Sequence, residues 1–263
     1  SRGLGDVYKR QDVSDNQGTI NWAQIPENVD FAVLRSVRRS GKTDHQFAAN
    51  LEGCRERNIQ VSVYKYTYAT TPEAARQEAQ QVVALLQSYG LAGTMIWWDV
   101  EDKDVLRPLG VTKLTECIRA AQEVVEAAGY GFGLYVGLYV YKERWFDFDA
   151  FAGARLWVAR YYHGYHTMQF ADEADQNYKP SVNRWLTAWQ YTSCGEIAGI
   201  KDDVDLNISY EDPAAWTQHV AESGVIYTVS VADVWTRDQA EAIQQQLAPL
   251  GVCGVVHKVQ ILE

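Results

Sequence analysis

The chain has 263 residues, 47% of them apolar by type, and a formal net charge of −10, which is room for one large α/β domain or a medium domain with a small one. Excess acid argues against nucleic acid, whose phosphates need clustered Lys and Arg, and no segment supplies the ~20 consecutive apolar residues of a membrane span. The N-terminus shows no basic region followed by an apolar run, an absence that decides nothing about export.

Residues 1–11, "SRGLGDVYKRQ", carry no apolar periodicity and are set aside as an extension or cloning remnant. From residue 12 a rhythm begins. "FAVLRSV" (31–37), "VSVYKYT" (61–67), "MIWWDVE" (95–101), "FGLYVGL" (132–138), "LWVARYY" (156–162) and "LTAWQYT" (186–192) are rich in β-branched and aromatic residues and read as strands. Between the early ones lie helical patterns. "DHQFAANLEGCRERN" (44–58) opens on a capping Asp44, "TPEAARQEAQQVVALLQSYG" (71–90) opens Thr-Pro-Glu and stops on Gly90, and "TKLTECIRAAQEVVEAAG" (112–129) again stops on Gly.

Alternating strands and helices with short connections imply parallel β-α units. No glycine-rich phosphate loop follows the first strand, so an irregular β/α barrel over 12–212 is favoured over a doubly wound sheet. Its second part is the irregular one, because helical patterning weakens after residue 138. Residues 210–224 read as a closing segment or linker, with the linker drawn at 213–224. "VIYTVSVADVW", "TRDQAEAIQQQLAPLG" and "VCGVVHKVQIL" then form a small strand–helix–strand unit over 225–263. Four cysteines, Cys54, Cys117, Cys194 and Cys253, stand without CxxC spacing and indicate neither a zinc site nor a disulfide framework. Cys54 and Cys117 fall in expected helices as small core residues.

"MIWWDVED" (95–102) is the unusual stretch: an apolar strand runs straight into Asp99, Glu101 and Asp102. Removing a carboxylate from water costs several kcal/mol unless it is paired or bonded. In a β/α barrel, strand ends gather at one mouth. Here they supply Asp12 and Asp15, Arg35, Tyr64 and Tyr66, Asp99 and Glu101, Tyr135, Arg160 and Tyr161, Trp189 and Gln190, and Asp205. Side chains alternate along a strand, so with Ile96, Trp98 and Val100 toward the helices, Trp97, Asp99 and Glu101 face the mouth. Crowded carboxylates raise one another's pKa, and a protonated carboxyl beside an ionised one is the equipment for splitting a glycosidic bond. The plainer alternative is that Asp99 and Glu101 pair with Arg35 or Arg160, or cap the following loop. Metal ligation by His163 and His166 in "HGYH" is set aside, since nothing ties that loop to the Asp99 strand. Sixteen Tyr and nine Trp against seven Phe give most rings a polar handle, suited to wet concave surfaces and sugar stacking.

These residues resemble glycoside hydrolase family 25, the lysozymes that cleave peptidoglycan as N-acetylmuramidases. The resemblance rests on "DVSDNQGTINW" (12–22), "FAVLRS", "VSVYKYTYATTPEAARQEA" (61–79), "WWDVED", the Gly-Tyr and Gly-Leu-Tyr of 129–135, "LWVARY", "WQYTSCGEIAGI" (189–200) and "VDLN" (204–207), in that order. It covers roughly residues 12–210, with Ser62 where the family often has Gly. The family's barrel has five β-α units and three further strands. Its acidic positions match Asp12, Asp99, Glu101 and Asp205. The resemblance implies Glu101 as the general acid and later base, and Asp99 as the partner that orients the substrate's N-acetyl group. Asp12 and Asp205 would set the electrostatics.

Groove-lining positions are expected at Arg35, Tyr64, Tyr66, Trp97, Tyr135, Tyr161 and Trp189. The tail more faintly resembles a SPOR-type peptidoglycan-binding repeat, as a wall-binding remnant or a barrel-docked appendage.

The expected function is hydrolysis of the β-1,4 bond from N-acetylmuramic acid to N-acetylglucosamine with net retention, without a cofactor, outside the cell or at the cell wall, including as a phage lysin released at lysis. The alternatives are a barrel that binds peptidoglycan without turnover, and a hydrolase of other N-acetylated glycans such as chitin.

Overall fold

In the computed structural model, which describes residues 8–217, the strands are apolar on both faces, and this sets the plan. Along Met95–Asp99, Ile96 and Trp98 pack outward with the helices while Met95 and Trp97 pack inward. A strand covered on both faces belongs inside a closed, mostly parallel sheet. The strands are β1 (Tyr8–Val13), β2 (Phe31–Arg35), β3 (Gln60–Tyr66), β4 (Met95–Asp99), β5 (Gly131–Gly137), β6 (Arg155–Ala159), β7 (Met168–Gln169), β8 (Ala188–Glu196) and β9 (Val204–Ser209). They run side by side from β1 to β6, and β6 pairs with β8, β8 with β9 and β9 with β1, which closes a barrel; the two-residue β7 hangs on the edge of β8.

The helices are α1 (Phe47–Glu56), α2 (Pro72–Ser88), α3 (Gly110–Ala127) and α4 (Leu138–Glu143), each on a crossover between parallel strands. The β1–β2 crossover carries two 3-10 turns, Asp15–Gln17 and Trp22–Gln24, in place of an α-helix. Five strand–crossover units followed by β6, β8 and β9 make the irregular barrel expected from the sequence. Helix α2 has the expected start, Thr71 accepting from the Ala74 N–H with Pro72 following, and Gly90 just beyond it adopts φ +67°. Asp44 is not the cap of α1, which begins at Phe47 behind Gln46. Its buried carboxylate instead accepts from the Gln46 N–H, the Asp15 N–H and Arg35. Cys54 and Cys117 are buried in α1 and α3, as expected.

Two boundaries move. Residues 8–11, set aside in the sequence, are the first part of β1, paired with β2 on one side and β9 on the other. Backbone pairing on both edges makes this strand, so it needs no apolar alternation. At the other end, residues 213–217, drawn as linker, belong to the barrel body. Asp212 caps the turn Pro213–Trp216 through the Ala214 N–H, and Trp216 is 2% exposed, edge-on to Phe31 at 4.7 Å and to Trp97 at 5.1 Å between ring centroids. With Met95 and Trp157 these rings form the barrel floor. Gly133 makes room for it, since a Cβ there would stand 2.6 Å from the Trp97 ring. Trp216→Ala leaves a ring-sized hole in that floor and is expected to cost ~3–5 kcal/mol. A urea midpoint unchanged by the substitution would contradict the assignment of Trp216 to the floor. The strand–helix–strand unit expected over 225–263 lies outside the described residues.

Candidate active site

The parallel strands end together above the Trp97–Trp157 floor, and β9, running the other way, begins there. That antiparallel step places Asp205, near the start of β9, directly opposite Asp12 of β1 in the sheet register. Asp99 closes β4 and Glu101 follows two residues later on the same side. The result is a cavity of ≈ 490 Å³ lined by Asp12, Asp99, Glu101 and Asp205, with Tyr64, Tyr66, Tyr135 and Arg35 also on its wall.

The expected neutralising pairs are absent among the described residues. Arg35 bonds Asp15 and, at 2.6 Å, Asp44, neither of which lines the cavity. Arg160 donates to the carbonyl oxygens of Tyr178 and Lys179. Asp99 is 4% exposed and its Oδ1 accepts no hydrogen bond. Burial first, and then the charges of Glu101 and Asp12, push its pKa well above the usual carboxylate range, against a smaller opposing pull from Lys65. Burial, with Asp12 and Asp102, raises Glu101 to about 7. Asp205 is raised by burial, then by the charge of Asp12 and the hydrogen bond to it. Such a set holds its protons jointly.

Asp12 is fixed by amides. Asn207 Nδ2 donates to its Oδ1 at 2.6 Å and Gln190 Nε2 to both oxygens at 3.2 Å. Gln190 Oε1 in turn accepts from the Tyr135 hydroxyl at 2.7 Å and the Tyr161 hydroxyl at 2.6 Å. Trp157 Nε1 donates to Asn207 Oδ1 at 3.1 Å. On the other wall, Lys65 is buried with Glu78 at 3.3 Å and donates to the Tyr66 carbonyl, which steadies the end of β3 beside Asp99. The Tyr139 hydroxyl holds the Glu101 carbonyl oxygen at 3.0 Å.

Three expected groove residues do not line the cavity: Tyr161, whose hydroxyl is held on Gln190, and two tryptophans that lie elsewhere. Trp97 is fully buried in the floor, its Nε1 donating to Ser62 Oγ at 3.3 Å. Trp189 faces outward into the helix layer and donates to the Arg160 carbonyl, which leaves its neighbour Gln190 on the inner face. Both faces of β8 are apolar, so composition does not reveal its parity; the shared parity of Ala188 and Gln190 does. Trp157, Asn207, Asn16, Tyr68, Arg38 and Arg39 were not singled out from the sequence, although all but Asn207 line the cavity. Trp157 shares strand parity with Tyr161, a signal that "LWVARYY" carried. Among the described residues no group of His, Cys, Asp and Glu is arranged to hold a metal ion.

The model of the family Glycosyl hydrolases family 25 matches residues 11–200. The chain matches no protein in the curated set. Among solved structures it is similar to the catalytic domain of the endolysin ply40 from bacteriophage P40 of Listeria monocytogenes, with TM-score 0.63, 25% identity, and 81% of this chain and 98% of that one covered. The modular autolysin LytC of Streptococcus pneumoniae gives TM-score 0.61 and 26% identity over 79% of this chain and 47% of that one. The spore cortex lytic enzyme SleM of Clostridium perfringens shares the fold at TM-score 0.64 and 22% identity, covering 83% of this chain and 71% of that one.

Proposed function

Since the chain belongs to glycosyl hydrolases family 25, the peptidoglycan-cleaving lysozymes, we propose that Glu101 protonates the glycosidic oxygen and Asp99 holds the N-acetyl group of the sugar being cut. The observation that carries this assignment is the convergence of Asp12, Asp99, Glu101 and Asp205 on one cavity, with no cation among the described residues in an ion pair with Asp99 or Glu101. Like charge keeps the Asp99–Glu101 pair short of double ionisation. Lys65 pulls the Asp99 pKa down against the larger effect of burial, which favours placing the pair's negative charge on Asp99 when Glu101 carries the proton.

The unpartnered Oδ1 of Asp99 suits an acetamido N–H. A buried acceptor without a donor costs ~1–3 kcal/mol, and the substrate would relieve it. With that N–H held, the acetamido oxygen attacks the anomeric carbon as the bond to the leaving oxygen breaks, and Glu101 supplies the proton that the leaving oxygen needs. Glu101, now ionised, takes a proton from the water that opens the intermediate. Two displacements on one carbon give net retention. Asp12, anchored by Asn207 and Gln190 and hydrogen-bonded to Asp205, contributes a negative field at the cavity, which favours the positive charge developing at the anomeric carbon.

The alternatives make different products. Digestion of purified peptidoglycan by the full chain is expected to release fragments ending in reducing N-acetylmuramic acid, first in the β configuration by proton NMR. Fragments ending in N-acetylglucosamine would overturn the bond assignment, and binding without release would favour the turnover-free barrel. No helix among the described residues is long and apolar enough to cross a membrane. The proposed place of action is the cell wall, reached from outside the cell or on release at lysis.

A further inference from the structure

Two cations in the cavity wall are left unused by this chemistry. Arg38 and Arg39 follow β2 and line the same cavity as the four acids. Arg35 is occupied by Asp15 and Asp44, but among the described residues neither Arg38 nor Arg39 has a carboxylate within ion-pair distance. Arg38 donates through Nε to the Thr43 carbonyl at 3.3 Å, which leaves the outer nitrogens of its fork free. Arg39 is exposed, with its guanidinium carbon 4.4 Å from the centre of the Tyr68 ring. Tyr68 is stacked on Tyr66 at 4.8 Å and 28°, and both rings belong to the cavity wall. The tyrosine stack thus shares one cavity wall with Asp99 and Glu101 and with the arginines, Arg39 lying over the Tyr68 ring.

We infer that Arg38 and Arg39 form a subsite for a substrate carboxylate, with the Tyr66–Tyr68 stack as the platform for the sugar unit that bears it. The inference rests on the peptidoglycan reading. In that polymer only every second sugar, the muramic unit, bears a carboxylate, either its own lactyl group or those of the peptide stem joined there. Guanidinium forks match carboxylates bidentately, and aromatic faces accept the apolar faces of sugars. A carboxylate set down among Asp12, Asp99 and Glu101 meets repulsion, whereas at the arginine end it is matched. On a chain of net charge −10, this local match supplies the electrostatic complementarity that overall charge withholds. It therefore sets the register of an alternating strand, deciding which of the two sugars lies over Asp99 and Glu101.

The test measures binding of three strand preparations to the full chain carrying Glu101→Gln, which keeps hydrolysis from consuming them. They are intact strands with stems, strands stripped of stems by an amidase so that the lactyl carboxylate is free, and stripped strands with that carboxylate amidated. Arg38→Ala with Arg39→Ala is expected to weaken binding of at least one charged form by ~10-fold or more, and to leave the amidated form unchanged. Arg39→Glu alone, which spares the Arg38–Thr43 bond, is expected to do the same. Loss on stripped strands assigns the lactyl carboxylate, loss on intact strands assigns the stem carboxylates, and either supports the subsite. Equal loss on charged and amidated forms, or no loss on any, overturns it. The muramidase reading fails separately, by the absence of muramic-terminated products from the wild-type chain; binding is then read on the wild-type background with the same criteria.

Discussion

Glu101→Gln is expected to lower the rate of reducing-end release from peptidoglycan by ~10³-fold, within the 10²–10⁴-fold span of general acid–base catalysis. The amide keeps the size of the side chain and removes only the proton and the charge. The backbone at this position is held by the Tyr139 hydroxyl on the Glu101 carbonyl, an anchor that the substitution does not touch. A variant retaining a tenth or more of the wild-type rate would remove Glu101 from the acid role.

The pH profile gives a second, independent reading of the same group. In the proposed role Glu101 acts as acid only while protonated, and burial with the charges of Asp12 and Asp102 raises its pKa to about 7. Activity therefore falls as pH rises through about 7, approaching tenfold for each further pH unit. The residual rate of Glu101→Gln lacks this alkaline limb. Asp102→Asn takes away one of the charges that hold the proton on Glu101, so its limb moves to lower pH. The Asp102 side chain accepts from the Asp104 and Val105 N–H groups through Oδ1, and an Asn oxygen can take both bonds. A limb that stays in place in Asp102→Asn would mean that another group titrates there.

These acids were legible in the sequence because alternation along β4 is strict: once Ile96 and Trp98 are given to the helix layer, Asp99 and Glu101 have one direction left. Trp97 shows the limit of that logic. Parity places it inside the barrel but not at a height, and two residues below Asp99 the interior is filled by the rings of Trp157 and Trp216. Trp189 failed for a different reason, since a barrel strand apolar on both faces offers no contrast from which to read its phase. Asp205 was read as a strand-end residue and matched by motif resemblance; it lies instead near the start of β9, opposite Asp12 because β9 runs antiparallel, which no local pattern announces. Gln190 was placed at the barrel mouth but given no role, and Asn207 was not singled out, because one polar side chain in a strand has no period and only the closed barrel brings both amides to Asp12. Trp216 escaped for the same reason, its place in the floor being set by a turn at the far end of the barrel.

Asp99→Asn is expected to lower activity by ~10²–10³-fold, the usual cost of removing one preorganised electrostatic partner, and at the same time to make the protein more stable at pH 7. The sign follows from linkage. Burial raises the Asp99 pKa in the folded state above its unfolded value. Between those two values the folded chain holds the proton more tightly than the unfolded chain, so stability falls as pH rises through that window. At pH 7 the unfolded chain gains by ionising Asp99, while the fold must either keep the proton or bury a charge whose Oδ1 has no donor. Asn is neutral in both states and escapes the penalty, so the melting temperature rises by about 2–4 °C for each kcal/mol relieved. Near pH 4, close to the unfolded pKa, wild type and variant converge. Thermal melts at pH 7 and pH 4 check both the sign and the window. A variant less stable at pH 7, or a gain of equal size at both values, would show that Asp99 is a satisfied structural carboxylate. A gain at pH 7 with loss of turnover would mark it as a charge kept for catalysis at the expense of the fold.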